Sequence, residues 1–219
     1  PAGTIAVASN DGRVALLNEE DLSVVAQVHD SKQWIEAIKF DPTGDFLAVG
    51  SHDNTIYVYS TRDGGLDLVQ QMRKHSSFIT HLDWSEDGSV LHSNCGAYEL
   101  LFFNPADGRQ LADGATLYRD EAWATWTCTL GWPVQGIFRP GQDGSDINTV
   151  DRDKSATLLA TGDDDGIVNL YRWPAEQKGA KRKAYNGHAS HVTNVRWTLD
   201  DSRLLSTGGN DNTLIVWRK

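Results

Sequence analysis

The chain spells one unit five times, and that repetition limits what it can fold into more than any other feature. The stretches "IAVASNDGRVALLN", "FLAVGSHDNTIYVYS", "VLHSNCGAYELLFF", "LLATGDDDGIVNLYRW" and "LLSTGGNDNTLIVW" each read as an apolar strand, a tight turn and a second apolar strand. Asp-Gly and Asp-Asn suit the turn because these residues accept positive φ at little cost. The turn acid falls at Asp11, Asp53, Asp165 and Asp211, with Ala97 in the matching place, so the spacings are 42, 44, 68 and 46 residues. A further strand precedes three of these hairpins and ends on an aromatic and a polar turn: "IEAIKFDPTGD", "ITHLDWSEDGS" and "VTNVRWTLDDS". Phe40 stands 13 residues before Asp53, Trp84 stands 13 before Ala97, and Trp197 stands 14 before Asp211. A fourth strand follows, as in "LDLVQQM".

Four short antiparallel strands in about 44 residues match one blade of a β-propeller. A small twisted sheet cannot bury both of its faces alone, so blades must cover one another. The continuous apolar run "LLATG" fits an inner strand covered on both sides. The expected architecture is all-β: a β-propeller of about four and a half to five four-stranded blades, an incomplete ring or fragment. The blades span about 1–30, 31–73, 74–114, 115–184 and 185–219 of a single partial propeller, with a long insertion at about 115–145. The first and last blades have three strands each and the middle three have twelve together. The reading places sequence upstream of Pro1 that completes the ring.

Composition narrows the function. No run approaches 18 apolar residues, and the start carries no basic leader with an apolar core, so neither a membrane span nor a secretory signal is expected. Two cysteines, Cys95 and Cys128, suit a reduced cytosolic setting better than a disulfide framework. The net charge of −10 disfavours nucleic acid and anionic membrane as partners. The local exception is Lys178, Lys181, Arg182 and Lys183 in "QKGAKRKAY", read as a solvated loop. No cofactor or metal is expected. "HASH" lacks the further ligands of a zinc site, "GDDDG" and "GQDGSD" lack the spaced ligands of a calcium loop, and no glycine loop precedes a Lys-Ser or Lys-Thr pair.

Gly187-His188, with Trp217 about thirty residues on, resembles the WD-repeat family. The resemblance implies a hydrogen-bonded set of His188, Thr207, Asp211 and Trp217 inside the last blade. Its chemistry is sound: the indole donates, a hydroxyl accepts and donates on to imidazole, and a carboxylate fixes the other ring nitrogen. The earlier blades carry Leu17, Tyr59, Phe103 and Tyr171 at the Trp position. The full lock is therefore expected only in the last blade. A triad reading of His, Thr and Asp lacks a nucleophile elbow, and the chain is expected to have no catalytic residues.

The 68-residue spacing leaves 24 residues beyond the usual 44, and these hold Trp123, Trp126 and Trp132. The segment is expected to pack across the domain or to add strand-like structure. Together with "HSSFITHLDWSEDGSVLHSN", "SDINTVD" and "TGDDDGIVNLYRWP", it resembles the echinoderm microtubule-associated protein-like (EMAP-like) family over about Lys74 to Trp217. The resemblance implies most of a second, carboxy-terminal propeller and a non-enzymatic module that binds tubulin or microtubules, or organises the microtubule cytoskeleton. The implied setting is cytoplasmic and cytoskeletal, with the cilium or flagellum as a further location. The alternative is a general scaffold in a ciliary or signalling complex. Tubulin surfaces are acidic and so is this chain, so charge-driven lattice binding falls to other parts of such a protein. Residues just before the inner strands line the mouth of a propeller; by alignment these are Trp34, Phe78, Asp146 and His191. They form either a partner-binding patch or a channel plug.

Overall fold

The computed structural model describes residues 3–219. Its regular structure is five antiparallel meanders. Sheet one comprises β1 (Thr4–Ala8), β2 (Val14–Asn18) and β3 (Val24–Val28). Sheet two comprises β4 (Ile35–Phe40), β5 (Phe46–Ser51), β6 (Ile56–Ser60) and β7 (Asp67–Met72). Sheet three comprises β8 (Ile79–Trp84), β9 (Leu91–Cys95) and β10 (Leu100–Phe103). Sheet four comprises β11 (Ile147–Arg152), β12 (Leu158–Asp163), β13 (Ile167–Arg172) and β14 (Arg182–Asn186). Sheet five comprises β15 (Val192–Trp197), β16 (Arg203–Gly208) and β17 (Leu214–Arg218). The chain divides into two compact units, Pro1–Ala124 and Thr125–Lys219. Sheets one to three belong to the first and sheets four and five to the second. Each unit is all-β and built of antiparallel meanders of the kind that form propeller blades. Among the described residues, no helix is long and apolar enough to cross a membrane.

One turn design recurs where the first strand of a sheet passes to the second. The residue after the strand is Asp41, Ser85, Asp153 or Thr198, and its side-chain oxygen accepts the backbone N–H five residues on, from Phe46, Val90, Leu158 or Arg203. The fourth residue of each turn has positive φ: Gly44, Gly88, Ala156 and Asp201. Short polar side chains that bond their own backbone stabilise such turns without help from the core. The first strands of sheets two to five also carry an early bulge, at Ile35/Ala37, Ile79/His81, Ile147/Thr149 and Val192/Asn194. Such bulges twist the strand and re-aim the residue before it.

The core lies between sheets. Val14 and Leu16 of sheet one pack with Leu47, Val49, Tyr57 and Tyr59 of sheet two. Ile56, Val58 and Met72 of sheet two pack with Ile79, Leu82 and Trp84 of sheet three. In the second unit, Ala160 and Val168 meet Val192, Val195 and Leu204. Burial follows strand order: β5 is buried from Leu47 to Ser51 and β9 along its whole length, whereas β14 is largely exposed. A second contact repeats between sheets. The Trp84 indole donates to the Lys39 carbonyl at 3.0 Å, and the Trp197 indole donates to the Asp151 carbonyl at 3.1 Å. The aromatic that ends a first strand thus ties it to the first strand of the preceding sheet.

One expectation needs correction, and one of the two alternatives for the insertion falls away. Sheet three has three strands, not four. After Phe103, pairing shrinks to a single Phe103–Gln110 bridge and the chain turns into a short helix, α1 (Gly114–Leu117). The Pro105–Gly108 turn brings the chain back for that one bridge. Gly114 then lies so close to Phe102 that a Cβ there would stand 2.4 Å from the Phe102 Cβ. The insertion adds no strand: Trp123 makes an isolated bridge with Ser85, and Trp132–Ile137 forms a 3-10 turn. Trp123 and Trp126 are buried while Trp132 is exposed. Trp123 stacks on His92 with centroids 3.7 Å apart, and the Trp126 indole donates to the Cys128 carbonyl.

Replacing Trp84 with Phe keeps an aromatic but removes the donor to Lys39. The expected loss is about 1–3 kcal/mol in urea denaturation, against about 0.5 kcal/mol or less for Leu199→Ser on the open surface.

Candidate partner-binding face and its polar supports

The bulges present four residues in equivalent places. Trp34, Phe78, Asp146 and His191 each immediately precede a first strand. The carbonyl of each accepts a backbone N–H from the turn beyond the second strand: His52 at 2.8 Å, Gly96 at 2.8 Å, Asp164 at 3.1 Å and Gly209 at 2.9 Å.

In the first unit this geometry brings Trp34 and Phe78 to the same feature. His52 lies between them, stacked on Trp34 with centroids 5.1 Å apart and on Phe78 at 4.6 Å. Trp34 is 47% exposed and Phe78 38%, so both edges of a three-ring ladder face solvent. The His52 ring also meets Glu36 at 3.3 Å. The Phe78 ring covers Gly96, where a Cβ would lie 2.5 Å from it. Sequence reasoning missed His52, although it stands beside the turn acid Asp53 and faces the gap between two aligned aromatics.

The second unit presents its own pair. The Asp146 carboxylate turns back to accept the Asp143 N–H at 2.6 Å. The His191 ring packs over Gly209 and bonds the Ser190 hydroxyl at 3.0 Å. No hydrogen bond or ring contact joins Asp146 to His191 among the described residues.

Beneath these surfaces lie the polar locks. In sheet five the Trp217 indole donates to the Ser206 hydroxyl at 2.8 Å, and Ser206 donates to His188 Nε2 at 2.7 Å. His188 Nδ1 donates to Thr213 at 2.8 Å and Asp211 at 3.3 Å. The hydroxyl in the set is therefore Ser206, not Thr207. Strand side chains alternate, so Thr207 points away and bonds Thr193 at 2.8 Å. Burial raises the Asp211 carboxyl, but the N–H groups of Ala189 and Thr213 outweigh it and hold the carboxyl below its ordinary value.

The lock is not confined to the last sheet. His75 Nε2 accepts from the Ser93 hydroxyl at 2.7 Å, and Nδ1 donates to Glu99 at 3.1 Å. His75 and Ser93 stand 18 residues apart, as do His188 and Ser206, a spacing readable from sequence. Glu99 in the place of an aspartate and Phe103 in the place of Trp217 hid the match. Elsewhere tyrosines donate: Tyr59 to Asp30 at 3.1 Å and Tyr171 to the Ile137 carbonyl at 3.2 Å. In sheet four the turn N–H of Ile167 goes to Asp163, not to Asp165 as the repeat alignment implied. The hairpin has the same length as that of sheet two, Gly162 facing Val168 as Gly50 faces Ile56, so the change is in which acid takes the bond.

His75 Nδ1, Cys95 Sγ and a Glu99 oxygen lie within 4.8 Å of one another, a spacing a metal could use. Hydrogen bonds account for the cluster. The Cys95 thiol donates to Glu99 at 3.1 Å, and its pKa is pushed up by burial, so it keeps its proton. Backbone donation from Ser76, then the Cys95 thiol, hold Glu99 down at about 2. Burial holds His75 below its ordinary value against the pull of Glu99, so the ring is neutral at pH 7.

The comparisons place the chain among known proteins. The profile described as "Echinoderm microtubule-associated protein second beta-propeller" matches residues 2–219. Human echinoderm microtubule-associated protein-like 2 is 45% identical over the whole chain, the rat protein-like 1 is 44% and the human protein-like 3 is 42%. The chain covers 34%, 27% and 25% of their lengths. Among solved structures, the computationally designed Ika8 protein aligns with the whole chain and 56% of its own, at a TM-score of 0.52 and 17% identity, a likeness of fold.

The depressed Glu99 carboxyl favours the folded state above its ordinary value near 4.5 and loses that contribution as pH falls toward 2. Glu99→Gln is expected to melt lower than the parent chain at neutral pH. The difference should shrink between about pH 4.5 and 2 in pH-dependent thermal unfolding.

Proposed function

The chain belongs to the echinoderm microtubule-associated protein family, and on that premise we propose that it is a non-catalytic protein-interaction module that engages soluble tubulin through specific contacts. Its setting is the microtubule cytoskeleton of the cytoplasm, with cilia or flagella as a special case. The observation that carries the reading is the Trp34–His52–Phe78 ladder, with its outer rings exposed. Large aromatics on a preformed surface are the usual anchors of protein interfaces, because they bury much area and lose little conformational freedom. Asp146 and His191 are the corresponding positions of the second unit. The net charge of −10 makes a sequence-independent electrostatic grip on an acidic surface unfavourable, so shape and aromatic burial carry the affinity.

The Ser206–His188–Asp211 arrangement has the connectivity of a hydrolase triad, but its chemistry points to structure. Ser206 is 1% exposed and its oxygen already accepts the Trp217 indole. Ser93, in the equivalent place, is fully buried. A nucleophile needs an open path to the substrate, and neither buried hydroxyl has one.

Gel filtration with soluble tubulin, run beside microtubule co-sedimentation, tests the proposal. Association with soluble tubulin is expected, and it should weaken at least about tenfold in a Trp34→Ala, Phe78→Ala double variant with an unchanged melting curve. Association with neither form, or unchanged affinity in the folded double variant, would overturn it.

A further inference from the structure

We propose a second binding site, independent of the aromatic ladder: a cleft at the outer end of sheet four that takes an acidic peptide. The cleft has a volume of about 790 Å³, and Leu158, Leu170, Arg172, Lys181, Arg182 and Lys183 are among its lining residues. Four of these are cations, and Glu176 is the one carboxylate in the lining, giving a local balance of +3 in a chain of net charge −10. Among the described residues, none of the four cations enters an ion pair within 4.0 Å. The Arg182 Nη1 atom is buried without a hydrogen-bond partner. A guanidinium offers five fixed donors and pairs best with a carboxylate. An incoming carboxylate would meet the accessible donors of Arg182 together with the Arg172, Lys181 and Lys183 side chains that line the cleft.

The wall of the cleft is built in advance. The Ala175 carbonyl accepts from Gly136 at 2.7 Å, and the Ala175 N–H donates to the Pro133 carbonyl at 2.8 Å. Gly136 lies so close that a Cβ there would stand 2.2 Å from the Gln177 carbonyl. The 3-10 turn of the insertion therefore holds the loop that leads into the basic run, and little ordering entropy is lost on binding.

Two features select a peptide over a small anion. Leu158, Leu170 and Ala180 supply apolar floor beside the charges, which an inorganic anion cannot use. β14, the last strand of its sheet, pairs on one side with β13 and is mostly exposed, so its other edge is open to an extended backbone. A long polyanion meets the negative field of the whole chain, whereas a short peptide senses charges within a screening length of about 10 Å.

The test measures fluorescence anisotropy of a short labelled glutamate-rich peptide titrated with the full 219-residue chain at about 0.1 M salt. Controls are the glutamine counterpart of the peptide and a single-stranded oligonucleotide of equal charge. Binding of the glutamate peptide is expected, about tenfold or more weaker for the glutamine peptide and for a Lys181→Gln, Arg182→Gln, Lys183→Gln variant. That variant should keep its melting temperature, since its side chains hold no ion pair. The Trp34→Ala, Phe78→Ala variant should bind the peptide as the parent does, which separates this site from the ladder. Absence of binding, equal binding of the glutamine peptide, equal binding by the folded triple variant, or tighter binding of the oligonucleotide would overturn the proposal.

Discussion

Burial of one small sheet by the next is the interaction on which the rest depends. A four-stranded meander of five- and six-residue strands has two apolar faces and no thickness of its own. β5 is buried along nearly its whole length because sheets one and three cover it from opposite sides. The tryptophans that end β8 and β15 add direction to this packing: the indoles of Trp84 and Trp197 reach carbonyls of the preceding sheet. Hydrophobic burial drives the stacking, and the indole bonds fix how the sheets meet. Close packing of this kind yields a stiff support, which a recognition surface requires.

Rigidity explains the arrangement of polar groups. A histidine buried between a hydroxyl and a carboxylate ties a loop to the second strand and leaves no polar atom of the set unmatched. Sheets three and five use this device with different acids, Glu99 and Asp211. Where histidine is missing, Tyr59 and Tyr171 direct a hydroxyl to whatever acceptor the loop supplies. The design thus conserves the satisfaction of buried groups more than the identity of the residues. The same triplet that resembles catalytic machinery serves to tie a loop to the second strand of its own sheet.

Local features were readable before the structure was known. Turn acids, alternating strands and the aromatics Phe40, Trp84 and Trp197 are chemistry within a few residues, and they point to the repeat, the all-β class and the family resemblance. Features that depend on register or on distant packing were not readable. Ser206 and Thr207 are neighbours, and only strand register decides which one turns inward. The His75 lock was hidden by Glu99 and Phe103, although its 18-residue spacing equals that of His188 and Ser206. The early end of sheet three rests on the contact of Gly114 with Phe102, and nothing in "QLADGATL" announces it. His52 was passed over because a stacked ladder is a tertiary event: its partners lie 18 and 26 residues away in the chain.

Native-state hydrogen exchange followed residue by residue tests the stacking account most directly. If sheets are stabilised by their neighbours, amides of β5, β9 and β12 should exchange slowest, near the limit set by global unfolding, and those of β3, β7 and β14 should exchange much sooner. Outer strands protected as strongly as the inner ones, or early exchange in β5 and β9, would contradict it.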